Sequence, residues 1–144
     1  MGLIADLLGR RSPVVHVMSP EQSVLDAVAL MSARRVGAVP VVENGRLVGI
    51  FSERDVVRRV VAMGRPIDKT RLAEVMTPDP ITASPGDERA EAMRKMDDAQ
   101  CRHLPIVQHG ALVDMLSIRD ELFVELEERA EAVESLRRYI GGSY

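Results

Sequence analysis

Two short segments carry side chains suited to a phosphorylated nucleoside: Ser52-Glu53-Arg54-Asp55 and Ser117-Ile118-Arg119-Asp120. Each follows an apolar run. A serine with an acid three residues on is first of all a helix start, in which the hydroxyl caps a backbone N–H and the acid favours the positive end of the helix dipole. The same arrangement suits a nucleoside monophosphate. Unpaired N–H groups at a helix N-terminus attract phosphate, the serine hydroxyl can donate to it, and the aspartate can accept from two vicinal ribose hydroxyls. Arg54 and Arg119 add charge that can engage phosphate as a bidentate donor. Capping and binding are compatible, because an empty site relaxes to the cap.

Other chemistry finds little support. His16, His103 and His109 do not recur at metal-ligand spacing, and the single cysteine, Cys101, excludes both a zinc-finger pattern and an internal disulfide. One thiol fits a reducing compartment, where it packs as a small hydrophobe. No nucleophile or oxyanion loop accompanies His103, so no enzyme is expected. A net charge of −3 and a pI near 5.6 oppose nucleic-acid binding. With 3% aromatic residues and no Trp there is also no stacking platform for single strands. No apolar run reaches the ~18 residues of a membrane span, and residues 1–10 lack the basic start and long apolar stretch of a signal peptide. These features lead to the expectation of a cytoplasmic protein that binds neither nucleic acid nor membrane. Hydrophobic residues at 46% and charged residues at 28% suit a globular chain with an aliphatic, methionine-containing core.

The elements that must position the two motifs are duplicated. Sliding the chain by 65 places aligns residues 15–57 with 80–122 without a gap and gives 12 identities in 43 positions, where ordinary residue frequencies give about three. Ser19-Pro20-Glu21-Gln22 has the pattern of a helix start, with Ser as N-cap and Pro at the first helical position. Val24, Ala27, Val28 and Met31 continue it at helical spacing, and the second copy predicts a helix over 84–96. Residues 38–42 and 47–51 flank Asn44-Gly45, a strong hairpin signal, and His109-Gly110 repeats the turn between strands near 104–107 and 111–116. A short strand is expected before each first helix, near 14–17 and 81–82. After Ser52 a helix should bury Val56, Val57, Val60 and Val61. Pro40 and Pro105 require edge strands, whose missing ladder bonds leave backbone groups available to a planar base. Residues 63–74 read as a linker. A tail after Phe123 carries Leu126, Ala130, Val133, Leu136 and Ile140 in line with Leu122, and Gly141-Gly142 ends it. One β-α-β-β-α unit is too small to close a core, whereas two facing copies can.

The repeat, the Ser-Pro helix start, the proline-bearing strand and the Ser-x-x-Asp ending together resemble the cystathionine-β-synthase (CBS) domain family over residues 13–123. The tail resembles the extension of small bacterial proteins that are CBS pairs alone. The resemblance implies an α+β fold of two tandem β-α-β-β-α units packed as a pseudo-two-fold pair, with a C-terminal helix. Its expected boundaries are 1–12, an N-terminal helical segment; 13–62, the first unit; 63–74, the linker; 75–123, the second unit; and 124–144, the tail. It further implies a regulatory module whose two clefts bind AMP, ADP, ATP, NAD or S-adenosylmethionine, and a homodimer. Asp55 and Asp120 would hold ribose, and Ser52 and Ser117 the phosphate. Residues His16, Val17, Ala38, Val39, Pro40, Thr82, Ala83, His103, Leu104 and Pro105 would frame the adenine, and Arg102-His103 matches a basic pair that reaches phosphate in some members. One departure stands out: the family motif begins with Gly, present as Gly49 but replaced by Asp114 in the second copy. A carboxylate near phosphate would weaken binding there, unless it faces away or coordinates a cation. The alternative is a ligand-free dimerisation or interaction module; in either case the downstream protein target is not legible.

Overall fold

The computed structural model describes residues 2–9 and 15–141. Val14, in the first expected strand, and Gly142, in the expected helix stop, lie outside them. Among the described residues the order is α1 (Ile4–Leu8), α2 (Val24–Arg34), β1 (Ala38–Glu43), β2 (Arg46–Ser52), α3 (Glu53–Asp55) continuing as a π-helical stretch (Val56–Val61), α4 (Leu72–Val75), β3 (Thr77–Pro78), α5 (Arg89–Ala99), β4 (His103–Gln108), β5 (Ala111–Ser117) and α6 (Ile118–Gly141).

Both hairpins form as their turns require. Asn44 and Gly45 have φ of 51° and 78°, and His109 and Gly110 have 53° and 79°. Positive φ at both central residues twists the turn to match its strands, which is why Asn-Gly favours it. Each hairpin carries a register shift at the same place, between Val41 and Val42 and between Ile106 and Val107. Strand β3 extends the first sheet by pairing Thr77 and Pro78 with Ile50 and Gly49. A Cβ on Gly49 would lie 2.5 Å from Met76 Sδ and 3.0 Å from the Thr77 carbonyl oxygen, so this close pairing needs glycine.

Two aliphatic cores result. The first joins Met18, Val24, Ala27, Met31, Val39, Val41, Phe51 and Val60 with Leu72 and Val75. The second joins Ala83, Ala92, Met96, Leu104, Ile106, Leu116 and Val124 with Ile4 and Leu7. The two short helices are therefore matched. Helix α4 gives Leu72 and Val75 to the first core, tied by Leu72 N–H to Gln22 O (2.9 Å) and Ala73 N–H to Pro20 O (2.9 Å). Helix α1 gives Ile4 and Leu7 to the second, tied by Ile4 N–H to Asp87 O (2.9 Å) and Ala5 N–H to Pro85 O (2.8 Å).

Several local expectations are corrected. Helix α2 starts at Val24 with Ser23 as N-cap, accepting from Asp26 N–H; Ser19 instead closes a turn with Gln22. Helix α5 likewise starts at Arg89, five residues after Ser84. The strands expected before them shrink to single parallel bridges, Met18 with Val41 and Ala83 with Ile106. Of the four valines expected inside, Val60 is buried but Val57 and Val61 are 62% and 66% exposed, because a π-helical winding rotates the faces. The stretch read as a linker is anchored: Thr70 is buried, and its carbonyl accepts from Val24 N–H (2.9 Å).

Candidate functional site

Each Ser-x-x-Asp motif sits where a hairpin's second strand turns into a helix. Register sets the strand starts beside it, with Ala38 opposite Ser52 and His103 opposite Ser117. The join is fastened identically in both copies: Glu53 N–H donates to Gly37 O (3.0 Å) and Ile118 N–H to Arg102 O (2.8 Å). The structure thus brings the strand-start residues and the motif residues together in each copy.

Asp55 is buried and heavily engaged. Its Oδ2 accepts from Ser52 N–H (3.0 Å) and Ser52 Oγ (3.2 Å), and its Oδ1 from Thr77 Oγ1 (3.2 Å). Arg59 Nε lies 3.5 Å from Oδ1, and Asp55 N–H in turn donates to Ser52 Oγ (3.3 Å). This is the reciprocal capping box, reinforced by Thr77 from β3. Asp120 is half-buried and its box is looser: Asp120 N–H to Ser117 Oγ is 3.1 Å, and Ser117 N–H to Asp120 Oδ2 is 3.4 Å. Thr77 lay outside the candidate set; it sits in the segment just before the aligned second copy, so the ungapped repeat did not flag it.

The remaining candidates divide by burial. Val39 and Leu104 are fully buried core residues, so they can offer a ligand only backbone. Ala38, Pro40, Ala83 and Pro105 are buried too. The Pro40 and Pro105 carbonyls accept from Met18 N–H (3.0 Å) and Ala83 N–H (3.1 Å). The prolines do lie on edge strands, but these groups are already used. His16 and Thr82 are half-buried, and Val17, Arg102 and Arg119 are exposed. Arg54 Nη1 donates to Gln100 O (2.7 Å), the left-handed C-cap of α5, which employs its charge at a helix C-terminus across the two units. His103 packs against Gly37 beside Glu53 at the same junction. Burial pulls its imidazole below the usual range; Glu53 and Asp120 oppose the shift and Arg102 adds to it. Asp114 is buried on the Leu116 face of β5, with Oδ1 accepting from Met115 N–H (2.7 Å). Two depressions of about 450 and 420 Å³ share Thr82 in their walls, and neither is lined by a motif residue.

Cys101 is half-buried against the second core, and burial raises its thiol pKa. Among the described residues no three His, Cys, Asp or Glu side chains gather as metal ligands, and no helix is long and apolar enough to cross a membrane.

Two sheet-and-helix units with a capped acid at matched junctions define a duplicated α+β pair module. The chain belongs to the CBS domain family, matching the CBS domain over residues 4–62 and 72–120. It is 37% identical over 106 residues to the CBS domain-containing protein YhcV of Bacillus subtilis, covering 74% of this chain and 75% of that one. It is 34% identical to the mitochondrial CBS domain-containing protein CBSX3 of Arabidopsis thaliana, with 86% of this chain covered but only 63% of that protein's length. Among solved structures, a protein with CBS domains from Burkholderia ambifaria superposes with TM-score 0.79 at 31% identity, covering 82% of this chain and 89% of its own. The fold is shared at lower identity by CBSX2, solved in complex with AMP (TM-score 0.74, 23% identity; 90% and 99% covered). The CBS domain pair of MJ0100, solved with 5′-methylthioadenosine and S-adenosylmethionine, shares it as well (TM-score 0.77, 22% identity; 88% and 97% covered).

Proposed function

We propose that the chain is a regulatory sensor that binds an adenine nucleotide (AMP, ADP, ATP or NAD) between its two units, catalyses no reaction and works as a cytoplasmic homodimer. The observation that carries this is the recurrence of one constellation: Ser52 with Asp55 and Ser117 with Asp120, each at a strand-to-helix junction beside a strand start. On this reading the ligand's ribose replaces the cap bonds of Asp55 and Asp120, and its phosphate takes the hydroxyls of Ser52 and Ser117. His16, Val17, Ala38, Pro40, Thr82, Ala83 and His103 to Pro105 frame the base, with Arg102 and Arg119 at the phosphate. Family members of the same fold in complexes with AMP and with S-adenosylmethionine support the ligand class.

Calorimetry with AMP, ATP and NAD tests it. Two binding steps are expected, and Asp55→Ala or Asp120→Ala should each remove one, costing about 1.5–3 kcal/mol for hydrogen bonds lost to a charged group. Equal binding by the parent and both variants would sink the assignment. One observation favours a second reading: Asp55 is buried and already bonded to Ser52 and Thr77. A flat titration with every nucleotide would make the module a ligand-free interaction scaffold.

A further inference from the structure

The offset of 65 makes the two strand-to-helix junctions comparable position by position, and they differ in charge. Gly37 and Glu53, joined through Glu53 N–H to Gly37 O, correspond to Arg102 and Ile118, joined in the same way. Where the second copy starts the Arg102 side chain, the first has a bare glycine. A Cβ on Gly37 would lie 3.2 Å from Glu53 Oε1 and 3.2 Å from His103 Cε1, so a carboxylate and a ring from the other unit fill that place. An anion approaching Ser52 therefore meets a carboxylate where one approaching Ser117 meets a guanidinium.

The other charges sharpen the contrast. Arg54 is drawn off to Gln100 O (2.7 Å). Arg59 donates to Met76 O (2.8 Å) and lies 3.5 Å from Asp55. Arg102 and Arg119 are exposed. Gly37, Glu53, Arg54 and Asp55 together carry one net negative charge, and Arg102, Ile118, Arg119 and Asp120 one net positive charge. Adding Arg59 only brings the first set to neutrality. His103 is common to both, close to Glu53 and Asp120. Asp114 does not reverse this order. It is buried on the Leu116 face of β5, roughly 10 Å of strand before Ser117, whereas Glu53 adjoins Ser52. A phosphate beside Arg102 and Arg119 gains charge-assisted bonds, about twice as strong as neutral ones. Beside Ser52 it gains a neutral hydroxyl and opposes Glu53.

We propose that the two sites read different parts of the ligand. The second, built on Ser117 and Asp120, selects the phosphorylated form. The first, built on Ser52 and Asp55, takes the adenosine moiety whether or not it carries phosphate. The inference rests on the adenine-nucleotide reading of both sites and adds which of them senses phosphate.

Calorimetry of the full chain with AMP and with adenosine tests it. From AMP to adenosine, one binding step should weaken about tenfold or more, the weight of a hydrogen bond to a charged group. The other step should hold within about threefold, the range of an exposed charge pair. Two exposed-residue variants assign the steps. Arg102→Gln with Arg119→Gln should abolish the preference of the sensitive step for AMP. Glu53→Gln should raise the preference of the insensitive step for AMP. Two steps that weaken alike, or that both ignore phosphate, overturn the proposal while leaving the nucleotide reading in place. The same holds if Glu53→Gln changes the step that Arg102→Gln with Arg119→Gln changes. A flat titration with both compounds removes the nucleotide reading and this inference with it.

Discussion

His103 stands at a junction where the two units meet, close to Gly37, Glu53, Asp120 and Arg102. Burial dominates and lowers its pKa. The sign follows from linkage. In the window below the ordinary value of about 6.5 the unfolded chain takes up a proton more readily than the folded one, so stability is full above that window and falls as the pH drops through it. His103→Gln should flatten this slope in denaturant titrations between about pH 5 and 7; an unchanged slope would mean the histidine is hydrated in the folded state. Residue type alone gave half of this site. The Ser-x-x-Asp pairs were legible because cap chemistry is local, requiring only an oxygen and an N–H within one turn. Thr77, which adds a hydroxyl to Asp55, was not, since it lies 22 residues away and meets the acid only once β3 pairs with β2. Burial of Val39 and Leu104 was also hidden, because an apolar strand residue can face a cleft or the core.

At the scale of elements, hairpin turns and their strands follow directly from Asn44-Gly45 and His109-Gly110, whose backbone preference is local. The helix starts shifted for a tertiary reason. Ser19 and Ser84 head turns whose carbonyls at Pro20, Gln22, Pro85 and Asp87 receive α4 and α1, and so they cannot begin a helix. The equivalence of α1 and α4 escaped the repeat search because it needs a three-residue gap: Ile4-Ala5-Asp6-Leu7 matches Leu72-Ala73-Glu74-Val75 at an offset of 68 instead of 65. Arg89 was likewise illegible, a charge on the buried face of α5. Its Nε and Nη2 donate to Glu121 at 3.0 Å each and its Nη1 to Glu128 at 2.7 Å, locking α5 to α6. The Glu121 bonds raise the guanidinium pKa further, against the opposing pull of desolvation. Because Arg89 and Glu121 are 3% and 1% exposed, Arg89→Met strands a carboxylate and should cost about 3–5 kcal/mol. The double variant Arg89→Met with Glu121→Met should recover much of it, measured as a coupling energy from chemical denaturation. Strictly additive losses would show that the pair is hydrated and contributes little.

For the whole molecule, the position at which the module ends and the tail begins decides what any truncation means. The family resemblance set the break after Phe123, one residue past the end of the aligned repeat. The packing sets it later, because Val124 is 7% exposed in the second core beside Ile4 and Leu7, and Glu128 completes the Arg89 pair. Helix α6 therefore serves two bodies, its first three turns closing the module and the rest standing clear of it. A chain ending after Phe123 should lose the burial of Val124, about 1.5–3 kcal/mol, together with the Glu128 bond, and melt several degrees lower. A chain ending after Arg129 keeps both and should melt with the full-length protein at concentrations where neither associates. At higher concentration the two should part, the full-length chain sedimenting as a dimer and the chain ending after Arg129 as a monomer, since the exposed Val133, Leu136 and Ile140 are gone. If the chain ending after Arg129 still dimerises, the exposed Val57, Val61 and Met63 become the contact to mutate, and the tail is a solvent-facing extension. If it melts like the chain ending after Phe123, the module extends further along α6 than the burial of its side chains indicates.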